Sequence, residues 1–250
     1  DSGALHVKLA DEAVCVGPAK SADSYLNMKN ILAAATATGC DAIHPGFGFL
    51  SENATFARLV ETCGIKFIGP SGDVIDMMGN KSAARALMIE NGVPVVPGSD
   101  GSVNRLDEAR AAAEKIGYPV LVKASAGGGG RGMRKAFSPE EFDNAFLSAK
   151  SEAKSAFGDD DMYLEKLVLN PKHIEFQIMA DCHGNVVHMG ERDCSMQRRN
   201  QKMIEEAPSS ALTPELRERM GQDAIKAAKA AGYENAGTIE FILDENGNYY

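Results

Sequence analysis

Four consecutive glycines stand in the run Lys123-Ala-Ser-Ala-Gly-Gly-Gly-Gly-Arg-Gly-Met-Arg134, at Gly127, Gly128, Gly129 and Gly130. Glycine has no Cβ and admits positive φ, so backbone N–H groups there can converge on phosphate oxygens at close range. Lys123 precedes the glycines, and Arg131 and Arg134 follow them. Glycines alone would suit an ordinary surface loop equally well; the three cations turn the reading toward phosphate binding. The run is not a Walker A loop, because no Gly-Lys-Ser/Thr follows it. It is not the dinucleotide fingerprint either, because no short βαβ unit with a ribose-binding acid follows.

Four further clusters could do chemistry. In Tyr163-Leu-Glu-Lys-Leu-Val168, Glu165 and Lys166 beside strand amides and carbonyls could read an adenine edge and a ribose. Spacing alone favours an edge strand with a solvated Glu/Lys face. His173, Glu175 and Gln177 recur with period two and share one strand face. That face is either solvent or a site lining, and solvent is the simpler expectation. From Glu191 to Glu206 a dense basic cluster leads into a Glu pair. It is either a solvated charged loop or an anion site in which Lys202 and the arginines contact phosphate or bicarbonate. Cys194 within it has no His spaced as a partner and reads as a structural thiol. Finally, Glu240 alternates with apolar residues in Gly237-Thr-Ile-Glu-Phe-Ile242. A carboxylate in a buried strand costs free energy unless it is paired or binds metal. Mg²⁺ takes one or two carboxylates plus phosphate oxygens, and that reading is preferred for Glu240.

The elements that must position these residues follow from periodicity. The first 70 residues alternate strands and helices: a strand at Ala13–Gly17, a helix capped by Ser24 with Met28, Ile31, Leu32 and Ala35 on one face, and a strand at Asp41–His44. A helix with Phe56, Leu59, Val60 and Cys63 follows, closed by Gly64, and then a strand at Ile65–Ile68. The β-α-β-α-β order predicts a parallel sheet, with a further strand preceding these. Residues 71–95 are mainly helical, and the Pro/Gly-rich stretch Val93–Gly101 marks a boundary. Then come a helix over Arg105–Ile116, a strand at Val120–Ala124, the glycine run, a capping box at Ser138-Pro-Glu-Glu141, a helix with Phe142, Ala145, Phe146 and Ala149 on one face, and a strand at Met162–Val168. The remainder reads as antiparallel sheet plus one helix from Thr213-Pro214 to near Gly232, with turns at Asp181–Asn185 and Asp244–Gly247.

Composition bounds the function. The chain has 250 residues, 44% hydrophobic and 24% charged, which suits an ordinary globular protein. No apolar run reaches the roughly 18 residues of a membrane span, and no signal peptide is visible. A net charge of −9 argues against bulk nucleic-acid binding but not against small anions held by a few local cations. Five cysteines with no C-x-x-C pair fit a reduced, cytoplasmic setting better than a disulfide framework or a zinc site. Residue 1 is Asp, and Asn248-Tyr249-Tyr250 reads as a strand just begun, so a piece of a longer chain is expected.

In family order, the motifs His44-Pro-Gly-Phe-Gly-Phe-Leu-Ser-Glu-Asn53, Phe67-Ile-Gly-Pro70, Met78-Gly-Asn-Lys81, Val96-Pro-Gly-Ser99, Lys123 to Met133, Glu165-Lys166, Lys172-His-Ile-Glu175, Glu191 to Lys202, Glu205-Glu-Ala-Pro208 and Gly237-Thr-Ile-Glu240 run through nearly the whole chain. Together they resemble the biotin carboxylase component of biotin-dependent carboxylases, in the ATP-grasp superfamily. The resemblance implies an α/β and α+β fold: an ATP-grasp fold preceded by a Rossmann-like, pre-ATP-grasp domain, truncated at both ends. Its parts would be a partial N-terminal domain over 1–70, a helical linker over 71–95, the lid subdomain over 96–168 and a partial catalytic subdomain over 169–250.

The implied activity is that of an ATP-dependent carbon–nitrogen ligase. Bicarbonate is activated by ATP to carboxyphosphate, which delivers CO₂ to biotin on a carrier protein. Acetyl-CoA carboxylase of fatty acid synthesis is the expected parent. The carboxylases of propionyl-CoA, methylcrotonyl-CoA and pyruvate share the motifs. Outside that group, the motifs leave room for a different ATP-grasp ligase, such as a carbamoyl phosphate synthetase half, and for a module that only binds nucleotide. Lys81 and Lys123 correspond to cations on the ATP phosphates, Gly127 to Gly130 with Met133 to the lid over ATP, and Glu165, Lys166 and Val168 to the adenine-binding strand. His173 and Gln197 correspond to ribose or phosphate contacts, Asn200 and Ile242 to further nucleotide contacts, and Glu175 to a neighbouring active-site acid. Lys202 corresponds to the bicarbonate and phosphate lysine, and Glu240 to one of two Mg²⁺ carboxylates, where Mn²⁺ could replace Mg²⁺. Asn200 departs from the family's usual His and carries no charge, and Asn80 stands where Asp is common. The second metal Glu, the bicarbonate Arg and the general-base Glu would lie beyond Tyr250, so the piece alone would be inactive. A biotin carboxyl carrier, carboxyltransferase subunits and a homodimer of the parent are the implied partners, with no nucleic acid and no membrane.

Overall fold

The structure is a computed structural model that describes residues 1–125, 132–198 and 201–250, leaving aside the side chains of Lys81, Ser82 and Phe157. It divides into two compact units. One comprises Asp1–Ala84, Ile178–His188 and Ala228–Thr238; the other comprises Arg85–Gln177, Met189–Ala227 and Ile239–Tyr250.

The first unit carries α1 (Leu5–Leu9), α2 (Met28–Ala37), β1 (Ala42–Ile43), α3 (Ala54–Thr62), β2 (Lys66–Phe67) and α4 (Gly72–Gly79). β1 and β2 pair in parallel, Ala42 opposite Lys66, as the strand–helix–strand order predicts. Phe56, Ala57 and Val60 of α3 and Ala35 of α2 form the core with Ile65 and Phe67, and Met28, Ile31 and Leu32 pack against it. Leu59 and Cys63 are exposed, so the buried face of α3 is rotated from the predicted one.

Two local expectations fail here. Ala13–Gly17 is no strand: no neighbour supplies a ladder, and Val16 O accepts instead from Asn30 Nδ2 at 2.8 Å. Ser24 does not cap α2. The chain is still turning there, through a 3₁₀ turn at Ser21–Asp23, and the Ser24 hydroxyl donates to Lys20 O. Asn27, directly before the first helical residue, accepts from Asn30 N and is the cap.

α5 (Lys81–Glu90) leads from the first unit into the second, which contains α6 (Leu106–Ile116), β3 (Val120–Ala124), β4 (Met133–Ala136), α7 (Pro139–Phe157) and β5 (Met162–Lys166). The three strands form an antiparallel sheet in the order β4-β3-β5. Val120, Val122, Ala124, Met162 and Leu164 turn inward onto Phe142, Phe146 and Ala149 of α7 and Ala109 and Ala113 of α6. Strand alternation therefore sends Leu121, Lys123, Tyr163 and Glu165 to the opposite face. The Pro/Gly-rich stretch expected as a boundary is part of this layer: Lys166 N donates to Pro97 O, Ser99 N to Leu164 O and Val103 N to Met162 O. The capping box expected at Ser138 does not form: the Ser138 side chain makes no cap hydrogen bond, and Glu141 accepts from Phe137 N, one residue before the cap.

A four-stranded sheet has the order β8-β7-β6-β9, from β6 (Lys172–Ala180), β7 (Val186–Arg198), β8 (Gln201–Glu206) and β9 (Asn235–Leu243), and α8 spans Pro214–Ala230. In the basic stretch, Glu191 to Arg198 belong to β7 and Gln201 to Glu206 to β8, its antiparallel neighbour. Within the second unit, Phe176, Phe241 and Tyr249 stack edge to face, at 5.9 Å and 5.7 Å between successive ring centroids. Tyr249 Oη donates to Asp223 of α8.

Candidate active site

The face of the β4-β3-β5 sheet turned away from α6 and α7 carries an ion pair. Lys123 Nζ lies 2.5 Å from Glu165 Oε2 and 5.6 Å from the ring centre of Tyr163. Burial pulls the Lys123 pKa down, but the charge and hydrogen bond of Glu165 outweigh it and hold the ammonium above its ordinary value. Met133 stands opposite Lys123 across the β3–β4 ladder. The Lys166 ammonium is engaged elsewhere, donating to Gly117 O at 2.8 Å and Tyr118 O at 2.7 Å. Arg134 pairs with Glu152 at 2.8 Å. Val168 follows the end of β5 and is half-buried. Lys81 opens α5, but its side chain, like Gly127 to Gly130 and Asn200, lies outside the described residues.

A denser cluster is built on the four-stranded sheet. His173, Glu175 and Gln177 share a face of β6, as the period of two predicts, but that face is not left to solvent. The Glu175 side chain is 5% exposed and sits between two cations. Arg192 Nε of β7 donates to its Oε1 at 2.6 Å, and Lys202 Nζ of β8 donates to its Oε2. Lys202 also donates to Glu240 Oε1 of β9 at 2.8 Å, and Arg192 Nη1 to Gln177 Oε1 at 3.1 Å. Burial raises the Glu175 pKa, but the hydrogen bonds from Lys202 and Arg192 outweigh it and the carboxyl is held below its ordinary range. Lys202 is also desolvated, yet Glu175 and Glu240 together keep it firmly protonated.

Gln197, opposite Lys202 in the β7–β8 ladder, places Nε2 2.9 Å from His173 Nδ1 and 2.9 Å from Cys194 O. An amide NH₂ only donates, so His173 Nδ1 is the acceptor and the ring proton sits on Nε2. Among the described residues the buried His173 Nε2 has no hydrogen-bond partner, while lying 3.3 Å from Glu240 Oε1. Ile242 lies two residues beyond Glu240 on the same strand face, exposed. Cys194 is fully buried, and burial pushes its thiol up to about 11, which fits a structural role. Sequence reasoning missed the grip of Arg192 on Glu175, because which strand faces β6 is set by strand order and not by local spacing.

The donor set fits a hard divalent ion beside phosphate. Ligand atoms of His173, Glu175 and Glu240 lie within 4.8 Å of one another. The two cations engage Glu175, whereas Glu240 is 54% exposed and has the more accessible carboxylate. One carboxylate completed by phosphate oxygens is a normal Mg²⁺ site.

A family model described as the ATP-binding domain of the carbamoyl-phosphate synthase L chain matches residues 80–250, and one described as the N-terminal domain of biotin carboxylase matches residues 1–75. The chain belongs to the biotin carboxylase family of ATP-grasp proteins. It is 59% identical over 250 residues to biotin carboxylase 2, chloroplastic, of Populus trichocarpa, covering 100% of this chain and 48% of that protein. It is 58% identical to the biotin carboxylase of a Nostoc species, covering 100% of this chain and 56% of that one. Among solved structures it matches a biotin carboxylase–β,γ-ATP complex from Campylobacter jejuni with a TM-score of 0.84 and 53% identity, over 99% of this chain and 55% of the other. The biotin carboxylase domain of a thermophilic 2-oxoglutarate carboxylase bound to bicarbonate matches with a TM-score of 0.91 and 53% identity, over 100% of this chain and 54% of the other. The chain spans about half the length of the curated relatives it matches. Among the described residues, no helix is long and apolar enough to cross a membrane.

Proposed function

We propose that the protein carrying this chain is an ATP-dependent ligase that carboxylates biotin on a carrier protein, activating bicarbonate as carboxyphosphate. The observation that carries this reading is Lys202 held between Glu175 and Glu240, with Arg192, His173 and Gln197 around it. Transfer of a phosphoryl group to bicarbonate develops charge on oxygens, and catalysis rests on fixed cations and close placement. Lys202 is the group we assign to the bicarbonate and the transferring phosphoryl group. Glu175 holds that ammonium in place, and His173 and Gln197 contact the nucleotide. Lys123 and Lys81 bind the ATP phosphates under the lid of Gly127–Gly130 and Met133, with adenine against Glu165, Lys166, Val168 and Ile242 and a further contact from Asn200. Mg²⁺ held by Glu240 would neutralise phosphate charge when bound.

Among carboxylases we favour that of acetyl-CoA as the parent; the chain is 59% and 58% identical to proteins named biotin carboxylase in Populus and Nostoc, 55% to a 2-oxoglutarate carboxylase subunit and 51% to a propionyl-CoA carboxylase chain of Caenorhabditis briggsae. The expected partners are a biotin carrier and carboxyltransferase subunits, with a homodimer of the whole protein, and the reduced cysteines suit the cytoplasm. In the full-length protein, ATP hydrolysis should require both bicarbonate and biotin, read as phosphate release with each omitted in turn. Hydrolysis indifferent to both would overturn the carboxylase reading.

A further inference from the structure

Arg192 and Gln197 both engage the β6 face of the site, yet they stand five residues apart on one strand. In a regular strand an odd separation puts two side chains on opposite faces. β7 resolves this with a bulge. Its pairing with β8 runs Asp193 opposite Glu206, Met196 opposite Ile204 and Gln197 opposite Lys202, so three steps on β7 match two on β8 and the next single step matches two, the register slipping and then recovering. The irregularity between Asp193 and Gln197 lets Arg192 and Gln197, five residues apart, reach the same face.

A bulge takes backbone amides out of the ladder, and a buried amide needs another acceptor. Asp193 supplies it. Its Oδ1 accepts from Ser195 N at 3.1 Å and from Ser195 Oγ at 2.5 Å, and its Oδ2 from Ser209 Oγ at 3.0 Å. Ser195 Oγ in turn accepts the backbone N of His173 at 3.0 Å. Asp193 is 6% exposed, and burial, which would raise its pKa, is outweighed by the hydrogen bonds of Ser195 and Ser209. Glu191, two residues earlier on the same face, ties down the same loop by accepting from Ser209 N and from Arg217. Glu191 is thus neutralised by a cation, whereas the hydrogen bonds to Asp193 come from one amide and two hydroxyls.

We propose that Asp193 is a positioning residue of this site: its carboxylate closes the β7 bulge and, through Ser195, fixes the backbone of His173, so that Arg192, Gln197 and His173 meet on one face. It touches no substrate and acts through those three side chains. The proposal rests on reading this cluster as the active site.

The test uses the full-length protein and biotin-dependent ATP hydrolysis. Asp193→Ala should raise KM for ATP and lower kcat, each about tenfold, in line with losing a group that orients a ligand-binding residue. Asp193→Asn keeps an acceptor for Ser195 and should recover to within about threefold of the wild type. Tyr249→Phe, which removes the 2.7 Å hydrogen bond to buried Asp223, is the structural control: Tm falls and KM stays. An Asp193→Ala protein with wild-type KM and kcat overturns the proposal. So does one whose kinetic loss merely tracks its loss of Tm, as in the control. If Asp193→Ala does not fold, Ser195→Ala takes its place, and an unchanged KM for ATP there is equally fatal. A wild type without biotin-dependent hydrolysis would sink the carboxylase reading instead. The affinity for a fluorescent ATP analogue would then be compared in the same variants, and equal affinity in wild type and Asp193→Ala would still overturn the role of Asp193.

Discussion

Two of the lysines that we assign to anions, Lys123 and Lys202, are held in different ways. Lys123 meets one carboxylate, Glu165, on the open face of a three-stranded sheet, and both side chains are similarly accessible at 24% and 19%. Lys202 meets two carboxylates of unequal burial, Glu175 at 5% and Glu240 at 54%, and Glu175 is shared with Arg192. A one-to-one pair can open to admit a phosphate: the anion takes the lysine and the carboxylate turns to water. A lysine anchored from behind by a buried, doubly paired carboxylate cannot leave. It keeps its place while its exposed partner exchanges ligands. The first arrangement suits binding, the second suits chemistry, where placement must not relax.

The most direct way to break this contrast is to remove each lysine and separate KM from kcat. Lys202→Met in the full-length protein should lower biotin-dependent kcat by at least about 100-fold, the scale of losing a fixed charge at a developing oxyanion. Its KM for ATP should change little. Lys123→Met should do the reverse, raising KM for ATP about tenfold with a smaller change in kcat, because it removes binding common to ground and transition states. Equal effects of the two substitutions on both constants would erase the distinction.

Much of this is legible in the residues. The period of two at His173, Glu175 and Gln177 places them on one face, and the alternation of Val120–Ala124 turns Lys123 away from the helices. The occupancy of those faces is not legible. Which face of β6 meets solvent depends on where β7 and β9 lay Arg192 and Glu240, and that is set by strand order, a long-range property. The β7 bulge is hidden for the same reason, since a slip of register shows only against a partner strand. Short elements fail locally: Ala13–Gly17 has strand-like residues but no ladder, and Ser24 has a capping side chain but stands a turn too early. Turn chemistry is local, and the turns expected at Asp181–Asn185 and Asp244–Gly247 both form. Each carries the pattern Asp-x-x-Gly-Asn, and in each the Asp carboxylate accepts from the amides two and four residues on.

A smaller effect sharpens the comparison from the side of stability. Glu175 is held below its ordinary value of 4.5, so the folded chain binds fewer protons there than the unfolded chain. Its stabilising contribution is complete above the ordinary value and drains away as pH falls through the folded one. Glu175→Gln removes that titration while leaving a side chain of the same size, so unfolding free energy should depend less steeply on pH below about pH 4.5 than in the wild type. At neutral pH the same substitution leaves Arg192 and Lys202 facing a neutral amide. The two variants of one carboxylate–cation cluster therefore part company. Lys202→Met leaves Glu175 still paired by Arg192 and should keep an acid limb, whereas Glu175→Gln should flatten it. Urea unfolding at about pH 7, 4.5 and 3 would separate them. An acid limb equally steep in Glu175→Gln and wild type would show that Glu175 is not the buried anchor on which the Lys202 arrangement depends.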